Sequence, residues 1–151
     1  MNMRKNYFLN FFPGTTGITM QKTILFIFTL LVSSTTYAGV DSKDIEKFLP
    51  GSWHTTAELP EYKIESKATY YRDKTCAYTI SVTTQEGKTI ISAKGTWKAE
   101  GDTLVVKITH TNSPDTFKPG EIMRDKVTFI DSKQFTYTDE EGTVTTEYRQ
   151  K

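Results

Sequence analysis

The sequence predicts a small all-β domain, an antiparallel up-and-down β-barrel of about eight strands with one short N-terminal helix. Three observations favour this fold class. After residue 50 the chain alternates between apolar and polar residues with a period of two. Short turn motifs separate the alternating runs. No second helical pattern is present to form crossover connections, so the strands should pair antiparallel.

The first 38 residues show a targeting pattern that we exclude from the fold. From Met20 the chain reads MQKTILFIFTLLVSSTTYA, a lysine followed by an uncharged apolar run and then small residues. This layout is typical of a secretory signal peptide at residues 20–38, with cleavage expected after Ala38. A transmembrane anchor is the alternative, but the apolar run is about half the ~20 residues needed to cross a bilayer. Residues 1–19 are interpreted as a non-native extension upstream of Met20.

The remaining residues, 39–151, are enough for one domain and too few for two. Three of the 19 basic residues precede residue 39, which leaves 16 basic and 18 acidic side chains in the domain. This mixed charge has no basic stripe, which argues against nucleic acid as a partner. Cys76 is the single cysteine, so an internal disulfide is excluded and the domain depends on its hydrophobic core. We expect a protein of the periplasm or a secreted one, without a membrane span after signal cleavage.

The helix is predicted at the start of the domain, in DSKDIEKFLPG. Asp41 or Ser42 can cap it, and Pro50 with Gly51 ends it. Its apolar positions fall on one face, at Ile45, Phe48 and Leu49. So short a helix is stable only if this face packs against the strands.

Eight extended runs follow the helix, and they are rich in threonine and aromatic residues. They span residues 51–58, 62–72, 76–84, 88–99, 103–112, 121–130, 134–139 and 143–150. Residues 113–120 form a longer loop that holds two of the five prolines. A flat sheet of eight strands has two open edges, and closure into a barrel removes both. An open bent sheet or a two-sheet sandwich is the structural alternative.

A short motif suggests how the barrel closes. Gly51-Ser52-Trp53 directly follows the helix, and Arg149 lies near the end of the last run. With eight predicted strands, this arrangement resembles the lipocalin and wider calycin pattern, and above all the small bacterial lipocalin-like domains. The resemblance implies that Gly51, Trp53 and Arg149 meet at the closed end of the barrel. A cation–π contact between the last two residues contributes about 0.5 to 2 kcal/mol.

The last strand conflicts with this placement. Val144, Thr146 and Tyr148 share one face, and Arg149 lies on the other. If the first three residues face inward, Arg149 must reach round the end of the barrel or lie at a bulge.

The predicted function is the non-catalytic binding of a small apolar ligand. Aromatic residues that are expected to face inward are the tentative ligand-binding residues: Tyr70, Tyr78, Trp97, Phe117, Phe135 and Tyr137. The same side chains are equally typical of a packed core, and eight short strands can be filled by their own side chains. The alternative is a filled barrel without ligand that serves as a protein–protein interaction module of the cell envelope.

Catalytic chemistry finds no support in the residue pattern. A cysteine inside the barrel is the nucleophile of one enzymatic lipocalin, but Cys76 lies on an apolar face and is interpreted as a buried, inert thiol. His54 and His110 are isolated and lack the spacing of metal ligands. We therefore predict no enzyme, no catalytic residues, no metal site and no cofactor.

Overall fold

The computed structural model describes Gly39–Lys151, except for the side chain of Leu59, and these residues form a closed antiparallel barrel of eight strands with one short helix. The predicted fold class is confirmed. The signal peptide predicted at residues 20–38 and the extension at residues 1–19 lie outside the described residues. Within Gly39–Lys151, no helix is long and apolar enough to cross a membrane.

The strands run up and down in chain order, each pairing with the next. They are β1 (Gly51–Leu59), β2 (Tyr62–Tyr70), β3 (Thr75–Thr84), β4 (Gly87–Glu100), β5 (Thr103–Thr111), β6 (Ile122–Ile130), β7 (Gln134–Thr138) and β8 (Val144–Arg149). The seam that closes the barrel joins β1 to β8 through two residue pairs, Trp53 with Arg149 and His54 with Tyr148. The first and last strands therefore meet, as a closed meander requires.

Helix α1 (Ser42–Phe48) covers one end of the barrel, which we call the closed end. Asp41 caps the helix, and its carboxylate accepts hydrogen bonds from the backbone N–H groups of Lys43 and Asp44. Ile45 and Leu49 have no exposed surface, because the helix lies against β4 and β6. Burial of this apolar face stabilises a helix that is too short to persist alone.

A β-bulge interrupts the pairing of β4 with β5. Lys94 pairs with His110 and Gly95 with Ile108, which leaves Thr109 as the extra residue. A Cβ atom at Gly95 would collide with the backbone carbonyl oxygen of Lys107. The glycine thus permits a closer approach of the two strands than any other residue allows.

The last strand corrects the expectation that its apolar residues face inward. Val144 and Tyr148 are 65% and 52% exposed, whereas Glu147 is only 5% exposed. Arg149 shares the inward face with Glu147, so it reaches the barrel interior by regular alternation and without a bulge in β8. The expectation failed because the inward face of β8 carries a charged residue where the pattern predicts an apolar one.

Candidate functional site

Arg149 ties the closed end together. Its Cζ atom lies 4.2 Å from the centroid of the Trp53 ring, a cation–π distance. The guanidinium also donates hydrogen bonds to the backbone carbonyl of Pro50 at 3.0 Å, to that of Ser132 at 2.8 Å and to that of Phe48. One side chain therefore joins the helix terminus, the first strand and the turn before β7.

Gly51 and Trp53 complete this end of the barrel. Gly51 has a φ of 140°, and a Cβ atom there would collide with the guanidinium of Arg149. Trp53 has no exposed surface, and its Nε1 donates to the backbone carbonyl of Leu49 at 2.7 Å. Because its groups pair with one another, the closed end has the character of a structural plug.

The six predicted ligand-binding residues all take part in the barrel interior, in two groups. In the first group the ring centroids lie 6.2 Å apart for Tyr70 and Trp97, 5.9 Å for Tyr70 and Tyr78, and 6.1 Å for Tyr78 and Phe117. The second group is the pair of Phe135 and Tyr137, with centroids 4.8 Å apart. Tyr70, Trp97, Phe117 and Phe135 are buried, whereas Tyr78 and Tyr137 are half-buried. Only the last two retain surface that a ligand can contact.

Phe117 brings the long loop onto the barrel. It belongs to residues 112–121, between β5 and β6, and its ring stacks on Tyr78 with an interplanar angle of 25°. The side chain is only 7% exposed. The loop is thus anchored to the interior by one aromatic side chain, next to the half-buried surface of Tyr78.

Away from the closed end, several inward-facing side chains are half-buried. The register places a set of half-buried side chains on the inward face, continuous with the buried core. We call the space that they line the cup, and its lining residues are Ile64, Ser66, Tyr78, Ile80, Tyr137 and Thr145. At the closed end, in contrast, Leu104, Val106 and Phe135 have no exposed surface. The inward face is therefore fully buried at the closed end and only partly buried at the six residues of the cup.

A groove of about 400 Å³ lies in the barrel wall. Strands β3, β4 and β5 line it, at the level where the bulge shifts the register between β4 and β5. Its walls include Tyr78, Ala93, His110 and Asn112.

Glu147 is the most unusual group of the interior. Its Oε1 atom accepts a hydrogen bond of 3.1 Å from the hydroxyl of Tyr137, whereas its Oε2 atom is buried without a partner. Burial raises the pKa of Glu147 from its ordinary value of 4.5 to about 7; the Tyr137 hydrogen bond opposes this rise, and the charge of Asp125 adds to it. The carboxyl group is thus close to half ionised at neutral pH.

A second carboxylate and two further hydroxyls lie close to Glu147. Asp125 on β6 is buried, with 6% exposure. The hydroxyls of Tyr70 and Tyr78 are hydrogen-bonded to each other at 3.0 Å. Burial raises the pKa of Tyr70, Tyr78 and Tyr137 well above its ordinary value, so these hydroxyls are neutral at physiological pH. We call Asp125, Glu147 and the three tyrosines the polar cluster.

The remaining candidate groups are Cys76, His54 and His110, and none of them belongs to the polar cluster. Burial raises the pKa of Cys76 to about 11, so its thiol is protonated at neutral pH and a nucleophilic thiolate is disfavoured. His54 packs near Tyr148 on the outer wall, and His110 is exposed on β5. Among residues 39–151, no three histidine, cysteine or acidic side chains are grouped so as to hold a metal ion.

Sequence reasoning missed both buried carboxylates, although each had a signal. Glu147 stands two residues before Arg149, so a barrel-closing Arg149 implies an inward Glu147. Asp125 alternates with Met123 and Val127, which are both buried. Both residues are acidic, so a search for apolar alternation does not select them.

Comparison of the chain with protein-family models finds no match, and comparison with curated proteins finds none either.

Proposed function

We propose that this protein is an exported, non-catalytic barrel of the lipocalin-like kind, and that it binds a small, largely apolar organic molecule in the cup. The observation that carries the proposal is the contrast between the two ends of the interior. Side chains at the closed end are fully buried, whereas Tyr78, Ile80 and Tyr137 face inward and remain half-buried. Apolar walls with a few converging polar groups are typical of small-molecule sites.

The lipocalin-like assignment is supported by the closed end. The G-x-W motif lies on β1, the terminal arginine on β8 lies over its tryptophan, and a short helix covers that end. These are the features that the resemblance implies. We assign Trp53 and Arg149 to the scaffold and not to the binding surface, because the two side chains contact each other.

Ligand binding can be tested with a neutral fluorescent probe and a variant that fills the cup. We expect Nile red to bind the protein purified from cells that express the full chain, and Ile80→Trp to weaken this binding at least roughly tenfold by occupying the same space. Ile90→Trp is the matched control, because Ile90 is 54% exposed. Equal binding by the wild type and both variants would show that the probe does not enter the cup.

Native mass spectrometry of the same preparation tests for a bound natural ligand and for export at once. We expect a mature mass that starts at Gly39 and a bound small molecule that is lost in Ile80→Trp. A mass that retains residues 20–38 after fractionation of the cell envelope contradicts the export part of the proposal.

The envelope interaction module receives less support from the surface. Such a module presents a contiguous apolar patch. The large exposed hydrophobic side chains of the described chain are instead spread over the β2–β3 turn and three strands: Tyr71, Ile90, Ile122, Phe129, Val144 and Tyr148. Singly exposed apolar residues are normal on soluble proteins and indicate no docking face.

A further inference from the structure

The unpartnered oxygen of Glu147 is the starting point for an inference that rests on the proposed function and names its class of ligand. A buried carboxylate without a compensating partner destabilises a protein, so such groups are rare unless something binds them. Glu147 is 5% exposed, its Oε1 atom is held by Tyr137, and its Oε2 atom has no hydrogen-bond partner. Within the described chain it has no ion-pair partner either.

The basic residue nearest to Glu147 in the sequence, Arg149, makes its contacts at the closed end of the barrel. Arg149 lies two positions along β8 on the same inward face, but its guanidinium contacts Trp53 and the carbonyls of the closed end. It therefore cannot also neutralise Glu147. Within the described chain, no basic side chain forms an ion pair with Glu147.

We propose that the polar cluster at the floor of the cup binds the ammonium group of a small organic amine, with the unpartnered oxygen of Glu147 as the anchor. The hydroxyls of Tyr78 and Tyr137 accept further hydrogen bonds. The apolar part of the amine lies along Ile80 and the other walls of the cup.

An ammonium group fits this donor set better than a metal ion does. It needs about three hydrogen-bond acceptors, which the Glu147 carboxylate and the hydroxyls of Tyr78 and Tyr137 supply. Calcium takes 6–8 oxygen ligands and magnesium about six in strict geometry. The described chain brings only two carboxylates to the cluster, with no third acidic, histidine or cysteine side chain grouped with them.

The ionisation of Glu147 supplies an independent readout. With its pKa raised to about 7, part of the carboxyl population is protonated before an amine binds. A bound cation favours the charged form, so binding at pH 7 should release a fraction of a proton. The groups that act on this carboxyl are Asp125, Tyr70, Tyr78 and Tyr137, and the three phenols do not titrate near neutral pH.

Calorimetry with three matched probes tests the inference: phenethylamine, 2-phenylethanol and 3-phenylpropionate. We expect phenethylamine to bind at least roughly tenfold more tightly than the alcohol, and the carboxylate probe to bind more weakly than both. The affinity for the amine should rise as the pH rises through 7, because the carboxylate then carries its charge before binding. Titrations at pH 7 in two buffers of different ionisation enthalpy measure the released proton.

Two variants assign the effect to one residue. Glu147→Gln keeps the shape of the side chain and should abolish both the preference for the amine and the proton release, while Nile red still binds. Glu86→Gln, on the exposed β3–β4 turn, removes the same charge far from the polar cluster and should preserve both.

The outcomes separate this inference from the function on which it rests. Equal binding of amine and alcohol, or an amine preference that survives in Glu147→Gln, overturns the ammonium site. Failure of phenethylamine to bind while Nile red binds also overturns it and leaves the proposed barrel function standing. If neither probe binds, both proposals are wrong.

Discussion

Glu147 is costly to the free protein because folding removes its carboxyl group from water. Its pKa is raised from 4.5 to about 7 on folding, so the folded state holds the proton more tightly than the unfolded state does. Stability from this group is fully present below about pH 4.5 and is lost as the pH rises through 7. At pH 8 the charged form destabilises the fold by on the order of 3 kcal/mol.

Glu147→Gln should therefore raise the stability of the protein without ligand at pH 8, and the gain should shrink towards pH 5. Urea denaturation at both pH values measures the difference in the free energy of unfolding. Glu86→Gln, with its exposed side chain, should match the wild type at both pH values. A Glu147→Gln variant that is less stable than the wild type at pH 8 contradicts a raised pKa as the dominant effect. A residue that lowers the stability of the free protein is expected where a site is built for a ligand.

Among the elements, β4 and β5 depend on a close backbone approach at their bulge. The φ angle of Gly95 is not in the left-handed region, so an alanine there is acceptable to the local backbone. Its Cβ atom would instead meet the carbonyl oxygen of Lys107 across the sheet. Strand pairing therefore requires glycine at this position, and the local backbone conformation does not.

Gly95→Ala should destabilise the protein by about 1 to 3 kcal/mol, because one strand must shift to admit the methyl group. Gly39→Ala is the matched control, since nothing lies within 4 Å of a Cβ atom there. Thermal unfolding of both variants measures the effect. Equal melting temperatures for the wild type and Gly95→Ala would mean that the strands already lie further apart.

At the scale of the whole molecule, the barrel closes through a short seam that side chains reinforce. The backbone pairing of β1 with β8 covers only two residue pairs. Arg149 adds the contact with the Trp53 ring and hydrogen bonds to carbonyls that come from different parts of the chain. The hydrogen bonds from Arg149 to Pro50 and Phe48 join residues that are 99 and 101 positions apart in the sequence. They therefore restrain the two ends of the meander.

A double-mutant cycle on Trp53 and Arg149 tests this closure. Trp53→Ala and Arg149→Ala should each destabilise the barrel, and the loss in the double variant should be smaller than the sum by about 0.5 to 2 kcal/mol. Urea denaturation gives the four free energies. A second cycle on Trp97 and Arg149 is the control. The Trp97 ring contacts Lys74, whose Nζ lies 4.1 Å from its centroid, so the losses of Trp97→Ala and Arg149→Ala should be additive. Additive losses for Trp53 and Arg149 would show that the two side chains are not coupled.

The eight strands and the helix were predictable from the sequence to within about two residues at each end. Local patterns carry this information, because alternation, turn residues and the cap at Asp41 each depend on a few neighbouring positions. The contact of Arg149 with Trp53 followed from a resemblance to known barrels. The alternation of the last strand argues against it only if Val144, Thr146 and Tyr148 form the inward face, and Val144 and Tyr148 are exposed.

The sequence by itself thus determined the eight strands, the short helix and the inward set of aromatic residues, and it favoured closure into a barrel. Tertiary structure alone decided which of them remain half-buried, since exposure depends on where the helix and the Phe117 loop cover the interior. It also decided that Asp125 and Glu147, on strands β6 and β8, lie close enough to interact. Pairing of residues from distant strands depends on register and closure, which no local pattern encodes, and that pairing forms the candidate site.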